Sequence, residues 1–164
     1  IRKTIKLSNK YNLAVTKYKS GDKNITEEMK LIINEKNKTY SPLAFYFLLD
    51  NDLISDQEKI NNYFDLIIED INLDKEIKYL NIYKKALYNS NFDSDNKIPE
   101  ILEPILKSNS VWKPHSLLLL GEYFFSKNNK LKSKKYFQEI LSLKNVNQKI
   151  VLDVQKRLNR DFGE

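Results

Sequence analysis

The sequence predicts an all-α chain built from short antiparallel helix pairs. Three observations carry that expectation. Apolar residues recur at helical spacing along the whole length, as in Leu7, Tyr11, Ala14 and Tyr18, which fall on one helix face. No segment alternates apolar with polar residues as a half-buried strand does. Only three glycines and four prolines punctuate 164 residues. A sandwich or barrel needs a turn signal every ~8–12 residues.

The elements follow in order. Ser20-Gly21-Asp22 closes the first helix, with Gly21 free to take positive φ. Thr26-Glu27-Glu28-Met29 opens the second, its acids in the first turn where the helix dipole favours them. Met29, Ile32 and Ile33 form its apolar face. Ser41-Pro42 predicts a third helix start, with Ser as N-cap and Pro at the first helical position. Residues 43–49 then run strongly apolar. A fourth helix from near Asp56 shows Ile60, Tyr63, Phe64, Ile67 and Ile68. A fifth from near Asp74 shows Ile77, Leu80, Ile82-Tyr83 and Leu87. After a polar turn over 89–97, Pro99 begins a short sixth helix over 98–107, which Pro104 is expected to kink or shorten. Helices over 112–126, 131–143 and 148–160 complete the chain.

Short helix pairs invite a test for a repeat. Pro42 and Pro114 lie 72 residues apart, Phe64 and Phe137 73 apart, and both fit two units of about 36. Leu120-Gly121-x-x-Phe124 followed by Ser133-x-x-x-Phe137 matches the spacing of the tetratricopeptide pattern, with Phe for Tyr and Ser for Ala. Small residues at 121 and 133 let two helices cross closely, and the phenylalanines fill the space between neighbouring pairs. The expectation is one domain over 1–164, a tetratricopeptide-like solenoid. Its four helical hairpins span 1–38, 41–70, 74–107 and 112–143, with a capping helix over 147–161. The non-repeating helical bundle is the alternative.

Composition excludes much chemistry. There is no cysteine and one histidine, so disulfides, cysteine nucleophiles and paired-histidine metal sites are out. No two glycines lie close enough for a phosphate loop. The +6 net charge is carried by 25 lysines against 3 arginines, beside 19 asparagines, 17 isoleucines and 3 alanines. This reads as AT-rich coding bias. It weakens a nucleic-acid reading, because bidentate recognition favours arginine. The charge is also segmented: +6 over 1–40, −7 over 41–106 and +7 over 107–164. An acidic middle repels an extended phosphate backbone. Unlike patches suit protein surfaces.

By analogy with tetratricopeptide geometry, the concave wall of the last repeat would include His115, Leu118, Glu122 and Phe125. Trp112 reads as a packing plug and His115 as a surface or groove imidazole without a catalytic partner. Asp93-Ser94-Asp95-Asn96 hints at a calcium loop but lacks the required Gly and Glu. The acids at 50, 52, 56 and 58 read as solvated helix ends. Lys127, Lys130, Lys132, Lys134 and Lys135 read as a solvated face that would suit anionic headgroups if the domain were tethered. No catalytic residue, metal or cofactor is expected, and no apolar run of ~18 residues is present.

Residues 98–143 resemble the C-terminal half of the bacterial tetratricopeptide-like proteins related to the ancillary SecYEG translocon subunit (YfgM-like). The likeness rests on Leu102-Glu103-Pro104-Ile105-Leu106, Trp112, Leu120-Gly121 and Phe137, with Tyr40-Ser41-Pro42-Leu43-Ala44 resembling that family's second helix-pair entry. The chain departs from it in having only three alanines. The resemblance implies a soluble periplasmic domain behind a single membrane anchor upstream of Ile1. It also implies binding to other proteins or peptides, among them translocon or chaperone components, with no nucleic acid and no catalysis. A cytoplasmic helical adaptor is the alternative, and a helical enzyme or nucleic-acid binder a distant third.

Overall fold

The structure, a computed structural model, describes residues 1–92 and 97–163. Among them every regular element is helical. In order these are α1 (Arg2–Lys19), α2 (Thr26–Asn34), α3 (Tyr40–Asp50), α4 (Gln57–Asp65) running into a π-helical turn (Leu66–Asp70), α5 (Lys75–Asn89), α6 (Lys97–Leu106), α7 (Lys113–Ser126), α8 (Lys130–Leu141) and α9 (Gln148–Phe162). None is long and apolar enough to cross a membrane. The chain divides into two compact units, Ile1–Asp74 and Lys75–Glu164. The stretch 93–96, whose composition hints at a calcium loop, lies outside the described residues.

In the first unit, α1 and α2 run antiparallel, tied by Lys17–Glu28 at one end (3.1 Å) and Lys3–Glu35 at the other (3.1 Å). Leu7 and Ala14 of α1 are buried against them, as are Met29, Ile32 and Ile33 of α2. The core centres on α3, where Ala44, Phe45 and Leu48 have no exposure. Ser41 is not the N-cap expected of it. The helix starts two residues earlier than expected, at Tyr40, and the Asn37 side chain takes the capping role by accepting from Thr39 N–H (3.0 Å) and Tyr40 N–H (2.9 Å). The buried Ser41 hydroxyl instead ties two helices together. It donates to the Ile32 carbonyl at the end of α2 (2.8 Å) and accepts from Asn37 N–H (2.8 Å). Asp56 does cap α4, accepting from Lys59 N–H at 3.0 Å. The π turn was not expected. It widens the ring by one residue, and Ile67, Ile68 and Ile71 are all buried across it.

In the second unit α5 packs on α6, α6 on α7, α7 on α8 and α8 on α9. Of the face expected on α5, Ile82 is buried and Leu80 and Tyr83 are half-buried, whereas Ile77 and Leu87 are exposed; Asn81, Ala86 and Asn89 complete the buried side. Pro104 does not shorten α6, which runs on to Leu106. Ile98, Leu102 and Ile105 keep one apolar face across the proline, so packing outweighs the one backbone bond it forfeits.

Helix ends explain why so few glycines suffice. Gly21 takes φ +102°, with Gly21 N–H bonded to Tyr18 O and Asp22 N–H to Lys17 O (both 3.0 Å), a complete Schellman motif. The same pair of bonds recurs where no glycine is present, around Asp52 (φ 54°) after α3 and Asn128 (φ 60°) after α7. Lys36 at φ 56° ends α2. Left-handed backbone costs an ordinary L-residue ~1–2 kcal/mol. Lys36→Gly should therefore stabilise the first unit by about 0.5–1 kcal/mol, its half-exposed pair with Asp70 offsetting only a few tenths. Urea denaturation reads this, and an unchanged or lower midpoint would count against it.

Candidate partner-binding site

The repeat residues converge at the α7–α8 crossing. Ser133 is fully buried on α8 and donates to the Gly121 carbonyl of α7 at 2.7 Å. The Phe137 ring lies against Gly121 so closely that a Cβ there would stand 2.5 Å from it. Leu120, Phe124 and Phe137 are buried. Phe124 stacks on Tyr136 at 5.7 Å with Lys132 over its ring at 5.0 Å. Lys127 lies over the Tyr123 ring at 5.6 Å, so part of the lysine cluster rests on aromatic faces.

The four wall residues do not form one open surface. Leu118 is half-buried against the cluster of Leu117, Phe137, Ile140, Val154 and Leu158. Glu122 is ion-paired with Arg157 of α9. Phe125 meets Phe162 edge-on at 5.8 Å, and the Arg157 guanidinium lies over it at 4.7 Å. The capping helix α9 thus engages the side of α7 that carries Glu122 and Phe125. Arg157 also covers Phe137 at 5.3 Å and pairs with Asp161. In a chain with 25 lysines and 3 arginines, the position of an arginine is itself a signal. Only its flat fork stacks on rings and pairs with carboxylates at once.

Asp161 titrates far below the usual carboxylate range, at about 2, chiefly because Arg160 hydrogen-bonds it, with Arg157 adding to the effect. Arg160 donates from both Nε (2.9 Å) and Nη2 (3.0 Å). The fold favours the ionised form, so its contribution is complete above an ordinary aspartate pKa of ~3.9. It is lost as pH falls from there toward about 2. The end of α9 should loosen in that window, with Asp161→Asn abolishing the pH dependence. An NMR titration of the Asp161 carboxyl checks this, and a midpoint near 4 would contradict it.

His115 stands apart from the other three. Its ring lies 5.0 Å from Trp112 and 6.2 Å from Tyr83, and Trp112 stacks on Tyr83 at 5.6 Å. Burial raises the Tyr83 hydroxyl pKa. Ser110 Oγ donates to Glu76 at 2.7 Å and accepts from Trp112 N–H at 3.0 Å, fixing the start of α7 against α5. On the other side of His115 a groove of about 710 Å³ opens between the start of α7 and the α8–α9 connection. The α7 wall supplies Val111, Lys113, Pro114 and His115, and the facing wall Leu143, Lys144, Val146 and Ile150. None of the lining residues is acidic. Apart from His115, sequence reasoning did not find these residues. Lys113 and Lys144 look like any other lysine in the sequence, and only the fold faces them across one space.

Among the described residues no three His, Asp or Glu side chains gather as a metal site requires. No family model, no curated protein and no solved structure matches the chain.

Proposed function

We propose that the chain is a tetratricopeptide-like domain that binds other proteins without catalysis. We place it as the soluble periplasmic part of a membrane-anchored envelope protein, working beside the Sec translocon or the periplasmic chaperones. The observation that carries the repeat reading is the α7–α8 crossing. Gly121 and Ser133 meet there through a 2.7 Å hydrogen bond under the Phe137 ring, at the small-residue positions of the repeat pattern. The envelope and the translocon come from the resemblance over 98–143. A stack of helix pairs presents groove-forming surface rather than a reaction centre, and the 710 Å³ opening beside α7 is such a surface.

Crosslinking with mass spectrometry, on the full-length protein in its own cells, tests the reading. Crosslinks to envelope or secretion proteins are the expected result. Crosslinks confined to cytosolic proteins or nucleic acid, or none at all, would overturn it.

A further inference from the structure

The groove beside α7 has a chemistry that narrows its ligand. Each wall brings one lysine, Lys113 on α7 beside His115 and Lys144 on the α8–α9 connection. Each wall also brings apolar surface: Val111, which is 66% exposed, on one side, and Val146 and Ile150 on the other. Among the described residues Glu76 is a carboxylate tied to a lining residue, and it already accepts the Ser110 hydroxyl. Val146 and Ile150 pack on the core cluster beneath, so that wall is fixed rather than pliable. The volume lies within the ~300–1,000 Å³ common for ligand sites.

We propose that this groove takes an extended acidic–apolar peptide segment from a partner protein, an inference that rests on the protein-binding reading above. Successive side chains of an extended segment point to opposite sides, so a segment that runs as two carboxylates followed by two aliphatic residues offers one of each to either wall, where it meets a lysine and an apolar patch. The amides of Asn109 and Asn145 at the rim can bond to the segment's backbone. A purely anionic ligand would leave the apolar patches wet, and a purely apolar one would leave the two lysines without a counter-charge.

The test uses the full chain and a fluorescein-labelled peptide repeating Glu-Glu-Leu-Leu, read by fluorescence polarisation. Saturable binding is expected. The pair Lys113→Glu with Lys144→Glu should weaken it on the order of tenfold or more, ~1.4 kcal/mol per decade. Lys6→Glu with Lys10→Glu, an equal charge change on exposed positions of α1, should change it by no more than about twofold, since neither lysine lines the groove. Val111→Ser, at an exposed position, should weaken it several-fold with unchanged helical circular dichroism.

Equal loss in the two charge pairs would reduce the effect to net charge and overturn the site. So would equally tight binding of the same pattern with lysine in place of glutamate, or with serine in place of leucine. Vesicles containing phosphatidylglycerol that lose binding only with the groove pair, while the peptide does not, would make it a lipid site instead. If partners crosslinked in cells persist with the groove pair, the groove fails and the protein-binding reading stands. If the wild-type chain crosslinks no partner, it is that reading that fails.

Discussion

Gly121→Leu is expected to destabilise the second unit by about 3 kcal/mol, and Gly121→Ala by about 2 kcal/mol. The cause is local. A Cβ at this position would lie 2.5, 2.7 and 2.8 Å from three atoms of the Phe137 ring, closer than carbon atoms can approach. The ring cannot step aside, because it is fully buried and is backed by Arg157 at 5.3 Å and Phe162 at 6.0 Å. Relief must come from α7 and α8 moving apart, which strains the Ser133 bond to the Gly121 carbonyl. Phe137→Leu should therefore cost less in the Gly121→Ala background than in the wild type. That sign of coupling is what residues in contact show. Thermal and urea unfolding measure both effects, and an unchanged melting temperature for Gly121→Leu would refute the crossing.

Gly121 was legible in the sequence because the constraint is steric and local in pattern. A lone glycine inside an apolar run, twelve residues before a small residue on the next helix, has few other uses. The helix faces of α2 and α4 were legible for the same reason, since 3.6-residue periodicity is written in residue order. Other features were hidden because their cause is tertiary. Ser41 beside Pro42 carries an N-cap signature, yet its hydroxyl bonds the Ile32 carbonyl, nine residues back. The ends of α2, α3 and α7 use Lys36, Asp52 and Asn128 at positive φ, where a search for glycine finds nothing. On α5 Ile82 is buried as expected, but Ile77 and Leu87 are exposed and Ala86 takes part of the buried side instead, because neighbouring helices chose which side to cover.

The candidate site divides in the same way. His115, Leu118, Glu122 and Phe125 share a helix face by spacing alone. What lies over that face depends on where α9 returns, and no local pattern encodes that return. Arg157 is the exception that sequence could have offered. Its pairing with Glu122 spans 35 residues, but arginine is so rare in this chain that its use in α9 marks the helix as doing more than capping.

Phe45→Ala should cost the first unit about 4 kcal/mol, at the centre of the range for emptying a phenylalanine site. The ring has no exposure. It meets Phe64 edge-on at 4.8 Å and Tyr63 at 5.7 Å, so truncation removes an aromatic cluster's hub as well as buried area. Its neighbours Ala44 and Leu48 are equally enclosed, and α3, whose start is tied to the end of α2 by the Ser41–Ile32 bond, cannot collapse far into the hole. A unit of this size holds on the order of 4–11 kcal/mol in total, so the variant sits near the edge of folding at 25 °C. Phe45→Leu, which keeps most of the volume, should lose only about 1 kcal/mol. Ellipticity followed through a urea titration reads the loss. Trp112, the single tryptophan, belongs to the other unit, so its fluorescence should respond to Gly121→Leu. A loss below about 2 kcal/mol for Phe45→Ala would mean that α3 relaxes around the gap, and that the aromatic cluster is not what fixes α3 to α4.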